Sequence, residues 1–200
     1  MNINLLILYY SRHGSVATMA KHIARGAQQV ANTHVVIRQL PDASFTTEQT
    51  SDPIPESGYP YCELDDLAEC DGLAIGSPSY FGSMAAPVKL FLDQTSTLWM
   101  SGQLIDKPAC AFASASSMHG GHEMTLQSMM IPLLHHGMVW AGLPYKNKAL
   151  INTKAGGTPY GVTHLASHTS DTGLSDDEIE LCVAQGKRLA ELATALKKRS

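Results

Sequence analysis

Apolar residues run without interruption from Leu5 to Tyr10. A strand reads this way when both of its faces are buried, as in a parallel sheet. The period then changes. Val16, Met19, Ala20, Ile23, Ala24, Ala27, Val30 and Ala31 recur at the three-and-four spacing of a helix. Val35-Val36-Ile37 predicts a second strand, and "ELDDLAECD" (63–71) a short helix leading into a third strand, "GLAIGS" (72–77). A third helix is predicted from Ser83 to about Leu98, with Met84, Val88, Phe91, Leu92 and Thr95 on one face. Pro87 is tolerable only near its start. "PACAFAS" (108–114) reads as a fourth strand. The helix that follows spans about Gly121 to His136 and stops at Gly137, a C′ glycine. "MVWAG" (138–142) is the fifth strand. The last helix opens on Ser175-Asp176-Asp177-Glu178, a capping box, and carries Ile179, Cys182, Val183, Leu189, Ala190, Ala193 and Leu196 as its apolar stripe.

Strands alternate with helices throughout. That order predicts an α/β fold: a doubly wound, five-stranded parallel sheet with helices on both faces and right-handed crossovers. One domain covers residues 1–200, with no internal repeat or low-complexity linker. Two stretches, 41–63 and 144–174, read as long loop insertions. Compact domains seldom keep such loops without a functional reason.

Composition narrows the partners. Hydrophobic residues make up 44% of the chain and the net charge is −4 with histidines neutral. Such a chain buries a sizeable core and carries no strong electrostatic signature. No basic stripe precedes Lys197-Lys198-Arg199, and those three suit the C-terminal end of a helix dipole. Nucleic acid is therefore not an expected partner. Cys62, Cys70, Cys110 and Cys182 form no C-x-x-C pair and read as reduced thiols of a cytoplasmic protein. "MNINLLILYY" lacks a basic leader, and no segment reaches the about 18 apolar residues of a membrane span.

In a doubly wound sheet, ligands sit beyond the carboxyl ends of the strands. Three loops leave such ends with unusual composition. The first is Ser11, Arg12, His13, Gly14, Ser15 and Val16. A hydroxyl- and glycine-rich turn that opens a helix offers N–H groups and serine oxygens to an anion. It lacks a P-loop lysine, so one terminal phosphomonoester suits it better than a triphosphate. An ordinary Ser/Gly helix cap uses the same residues. The second loop, "SPSYFGSM" (77–84), sets two aromatics at a turn, either as a flat wall or with Phe81 as core packing. The third, "SASSMHGGHE" (114–123), has small residues that let a ligand approach the backbone and hydroxyls that meet a polyol; its plain reading is a surface loop. Together they describe a phosphate, a polyol and a flat ring, the parts of flavin mononucleotide (FMN).

The sequence resembles the Trp-repressor-binding-protein-A (WrbA) family of flavodoxin-like NAD(P)H:quinone oxidoreductases. The resemblance rests on "LYYSRHG", "GSPSYFGSM", "FLDQTSTLW", "LLHHGM" and "GGTPYG", in that order, and covers essentially the whole chain. It implies an enzyme that binds FMN, takes electrons from NADH or NADPH and reduces quinones by two electrons, with the flavin and no protein residue carrying the chemistry. It also implies a homo-oligomer, a tetramer built as a dimer of dimers. By resemblance, Ser11 to Val16 hold the FMN phosphate, Ser79, Tyr80 and Phe81 lie along the ring, and Ser114, Ala115, Ser116, Ser117, Met118, His119 and Gly120 surround the ribityl chain and ring edge. His135 matches a flavin-site histidine, His13 the nicotinamide contact, and Trp99 a substrate contact across a subunit boundary. The family commonly has Thr-Arg-Phe where this chain has Ser79-Tyr80-Phe81, a third loop one residue shorter, without His119, and often tyrosine at position 13.

Other readings are weaker. His119 and His122, and the pair His135-His136, invite a metal, but no cysteine or carboxylate is spaced to complete a ligand set. There is no G-x-S-x-G elbow for a hydrolase. The alternative from another class is a flavodoxin-type one-electron carrier that docks on protein partners. Such carriers tend to be smaller and more acidic.

Overall fold

The computed structural model describes residues 2–44, 52–166 and 173–198. Its strands are β1 (Ile3–Tyr9), β2 (Thr33–Gln39), β3 (Gly72–Tyr80), β4 (Ser83–Met84), β5 (Pro108–Ala115), β6 (Val139–Trp140) and β7 (Val162–Leu165). Its helices are α1 (Ser15–Ala27), α2 (Leu64–Glu69), α3 (Ala86–Asp93), α4 (Ser96–Ser101), α5 (His122–His135), α6 (Lys148–Asn152) and α7 (Asp176–Lys197). The sheet order is β2-β1-β3-β5-β6, with β7 also beside β5 and β4 hairpinned onto β3. All pairings except β3–β4 are parallel. With the hairpin set aside, this is the order of a flavodoxin-like sheet.

The uninterrupted apolar run of β1 now has its cause. Ile3, Leu5, Ile7 and Tyr9 pack with α1 and α7 in one core, while Leu6, Leu8 and Tyr10 join α2, α3 and α5 in the other. The first core is closed by helices in backbone contact. A Cβ on Gly26 would lie 1.9 Å from the Val183 carbonyl oxygen, and one on Gly186 1.9 Å from that of Ile23. Any larger residue at either position pushes α1 off α7. Among the described residues no helix is long and apolar enough to cross a membrane, and all four cysteines are free thiols.

Three expectations need correction. The helix over Ser83–Leu98 is two helices, α3 and α4. Thr95 turns its hydroxyl back to the Leu92 carbonyl (2.7 Å) and meets His136 Nε2 (2.8 Å), which ends α3 before α4 begins. Residues 83 and 84 belong instead to β4. The strand over 138–142 shrinks to Val139–Trp140, and the region 144–174 is not all loop, because it holds α6 and β7. The fifth position of the sheet is thus filled twice. β6 pairs with Pro108 and Ala109, and β7 with Phe112 to Ala115 farther along the same strand. In between, Gly142 lies against the Pro159 carbonyl, at 2.3 Å from where a Cβ would be, and Leu143 N–H donates to that carbonyl at 2.9 Å.

Candidate functional site

β1, β3 and β5 are neighbours, so their carboxyl ends open side by side. The loop after β1 is shaped by Gly14. Its φ of 94° is left-handed, and it is the N-cap of α1. Glycine adopts this conformation without the cost a side chain brings. Gly14 N–H donates to Ser11 Oγ at 3.1 Å, which closes the turn. No side chain caps α1, and its first turn holds no acidic residue. The first-turn N–H groups therefore face outward with the positive end of the helix dipole behind them. Ser15 and Val16 are buried beneath this turn, whereas Arg12 and His13 are exposed. The arrangement fits a phosphate.

The second and third loops are built as one object. Ser79 Oγ donates to the Gly120 carbonyl at 2.6 Å and accepts from Thr125 Oγ1 at 2.8 Å. Gly82 and Gly121 both have positive φ, and a Cβ on Gly121 would lie 2.5 Å from Gly82 Cα. Ser128 Oγ accepts from the Met84 N–H, and Ser77 Oγ from that of Ala85. On this rigid base Phe81 stands fully exposed at φ 54°. A bulky residue in the left-handed region costs on the order of 1–3 kcal/mol. The Phe81 ring stands in open space, with Tyr80 half-exposed as its chain neighbour. Ser114 and Ala115 are buried at the end of β5, while Ser116, Ser117, Met118 and His119 project outward.

Tyr10, to which the sequence reading gave no site role, donates to Asp42 Oδ1 at 2.6 Å. Burial raises the Tyr10 hydroxyl pKa, and the bond to Asp42 raises it further; nearby Tyr80 adds to this and Arg12 opposes it. The ends of β1, β2 and β3 thus share one polar corner.

Trp99 and His135 lie elsewhere. Both line an open groove of about 490 Å³ between α3, α4 and α5, with Met84, Leu92, Ile131 and Pro132. His135 ends α5, whose first residue adjoins the third loop, and a 14-residue helix is about 20 Å long. Within one chain, therefore, the three loops come together and His135 joins Trp99 instead. His136 turns inward to Thr95, as expected for adjacent helical residues.

Residues 1–152 match the family described as NADPH-dependent FMN reductase. A protein from Solidesulfovibrio magneticus named NAD(P)H dehydrogenase (quinone) is 36% identical, the match covering 98% of this chain and 100% of that protein. One of the same name from Geotalea daltonii is also 36% identical, over 97% and 98%. Among solved structures, a WrbA-like flavodoxin from Agrobacterium tumefaciens has a TM-score of 0.68 at 22% identity, covering 98% of this chain and 99% of that one. An archaeal flavodoxin has 0.64 at 20%, covering 96% and 99%. The two structures are alike in fold.

Proposed function

This chain belongs to the family of NADPH-dependent FMN reductases, and from that membership we propose that it is an NAD(P)H dehydrogenase (quinone) of the WrbA type, using FMN to pass two electrons from NADH or NADPH to a quinone. The observation that carries this reading is the trio of adjacent loops. One offers uncapped N–H groups behind Gly14, and two are locked glycine to glycine beneath an exposed Phe81. The named relatives, alike over almost their whole length, support an enzyme over a one-electron carrier.

Ser11 to Val16 would hold the phosphate, Ser114 to Gly120 the ribityl chain and ring edge, and Ser79, Tyr80 and Phe81 the face of the ring. FMN, when bound, supplies the electron-transfer chemistry; the protein binds, orients and excludes water. Phe81 and Tyr80 form one side of a flat slot that takes nicotinamide, with His13 at its mouth, and then the quinone. Because one slot serves both, the kinetics are ping-pong. The opposite wall comes from the Trp99 and His135 groove of a neighbouring copy, which makes the working unit a homo-oligomer, a dimer of dimers. We place it in the cytoplasm.

The test is an absorption spectrum of the purified protein with and without added FMN, followed by NAD(P)H oxidation. Oxidation should require both FMN and a quinone. Heat release and chromatography should recover FMN, and recovery of FAD alone would overturn the assignment. Ser15→Leu should weaken FMN binding about ten- to a hundredfold, the worth of one charge-assisted hydrogen bond of roughly 1.5–3 kcal/mol. Unchanged affinity in a folded variant would show that the phosphate lies elsewhere.

A further inference from the structure

Behind the third loop lies a buried polar cluster that the proposed reaction leaves unused. Glu178, on the first turn of α7, is 1% exposed. Its Oε1 accepts from the N–H groups of Gly156 (2.9 Å) and Leu165 (3.0 Å). Its Oε2 accepts from the Ser175 N–H (2.8 Å) and from His164 Nδ1 (3.0 Å). His164 is 2% exposed and sits on β7 opposite Ser114 of the third loop's strand. His122, half-buried at the start of α5, donates through Nε2 to the Ser117 carbonyl at 3.0 Å. Two ring nitrogens remain, His122 Nδ1 and His164 Nε2. Both are buried and have no hydrogen-bond partner among the described residues.

These bonds fix the protons. A carboxylate and a carbonyl only accept, so His164 Nδ1 and His122 Nε2 each carry hydrogen. In a neutral His122 ring the remaining nitrogen is a bare acceptor, buried and without a partner among the described residues. Such a place favours one added proton whenever negative charge appears nearby. Neither the second loop (77–84) nor the third (114–123) contains a lysine or arginine. The third loop's own candidates for positive charge are His119, which is exposed, and His122, which is bonded to the loop backbone.

We propose that His122, held by the Ser117 carbonyl, takes up a proton from solvent when the bound cofactor is reduced and releases it when the quinone is reduced, with His164 and Glu178 setting the charge around it. This rests on the reading of the third loop as a wall of the flavin site. The stoichiometry requires such a proton. NAD(P)H departs as NAD(P)⁺ having given two electrons and one hydrogen nucleus. A quinone becomes a hydroquinone by gaining two electrons and two protons. The missing proton enters at His122 Nδ1 in the first half-reaction and passes to the water that protonates the quinone in the second.

The groups facing His122 set the pH window. Burial lowers its pKa, the Ser117 carbonyl and Glu178 of α7 raise it, His164 of β7 lowers it, and Glu123 of its own helix raises it; the net direction is down. His122 is therefore neutral near pH 7 in the oxidised protein. Negative charge gained at the loop raises its pKa, so uptake occurs between the lowered value and the raised one.

The experiment is the midpoint potential of FMN-loaded protein against pH, from pH 5 to 9, by equilibration with a redox dye. Each proton coupled to a two-electron couple steepens the line by about 30 mV per pH unit. The wild type should show that added slope over part of the range. His122→Gln should lose it, and His164→Gln should move its window to higher pH. Parallel lines for wild type and His122→Gln overturn the proposal. So does an NMR titration in which the His122 ring titrates identically in oxidised and dithionite-reduced protein, a readout that stands even where His164→Gln does not fold. FMN binding that ignores Ser15→Leu would overturn the placement of the cofactor at these loops. Parallel lines with FMN binding that responds to Ser15→Leu overturn this inference alone.

Discussion

At its first turn α5 is tied closely to the rest of the chain. Gly121 touches Gly82, Thr125 bonds Ser79, and His122 bonds the Ser117 carbonyl. At its last turn the same helix presents an exposed His135, an exposed Leu134 and the open groove shared with Trp99. His136 there is buried against Thr95, and its pKa is lowered first by burial and then by His135. The two ends carry the same residue type in different surroundings. One end is finished within the chain and holds its geometry by close contact. The other ends in apolar surface, with Trp99 57% and Met100 80% exposed. Where a histidine sits on the helix decides what it can do.

The most severe way to break this asymmetry is Gly121→Val. The residue would need φ +80° and a Cβ 2.5 Å from Gly82 Cα. The second and third loops should part, and FMN affinity should fall more than about a hundredfold. Gly137→Ala, at the other end, faces Ile105 Cγ1 at 3.1 Å with φ +76°. It should cost stability and leave FMN affinity unchanged. Fluorescence titration of both variants decides, and equal losses would erase the distinction.

The second test asks what completes the far end. Trp99→Ala should spare FMN binding and reduce quinone turnover about tenfold or more, the scale of one buried aromatic contact of roughly 1.5–3 kcal/mol. Mixed with Ser15→Leu subunits, at an FMN concentration that leaves the latter empty, it should regain part of the lost activity. Intact loops of one parent then meet the intact Trp99 of the other. Exchange is checked by a tag pull-down. No recovery in verified mixed oligomers, or full activity in diluted monomers, would show that each chain closes its own slot.

The smallest expected effect lies at Glu178. Burial pushes its carboxyl up, but the bonds from His164, Ser175 and Leu165 outweigh this and hold the pKa down to about 2. A depressed carboxyl stabilises the fold fully above its ordinary value of 4.5, and the contribution is lost as pH falls toward 2. Glu178→Gln should cost roughly 1–3 kcal/mol at pH 7. It should also flatten the acid limb between those two pH values in urea titrations. Parallel limbs would mean that the carboxylate is not the group responsible.

Much of this was legible along the chain. The alternation of β1, α1, β2, β3, β5 and α5 followed from period alone, because each element faces a core that continues past it. The loops at Ser11 and Ser79 were visible because hydroxyls and glycine at a strand end are rare outside caps and ligand sites. What escaped was set by distant partners. The apolar stripe of residues 84–98 runs through the break because Phe91, Leu92 and Leu98 all enter one core. The signal that stops α3 is a hydroxyl meeting His136, 41 residues away. β7 is four residues in a region rich in glycine and threonine, and it becomes a strand only because Phe112 to Ala115 leave an open edge. Glu178 was readable as half of a capping box, and α7 confirms it. Its bonds to Gly156, Leu165 and His164 had no local signature. Asp42 was equally silent until Tyr10 was placed opposite it.

The doubled fifth position of the sheet has a consequence for the order in which the protein is made. A ribosome that has released residues 1–152 has already produced the three loops and every strand except β7. The flank of the third loop is still missing, because β7 and the carboxylate of Glu178 emerge later. Gln185 then ties α7 to the Ala141 carbonyl and Arg188 ties it to that of Gly142, fastening the late segment over the early one. The turn after β1 is therefore made well before α7, on which the helix it opens must pack, with Gly26 against Val183 and Gly186 against Ile23.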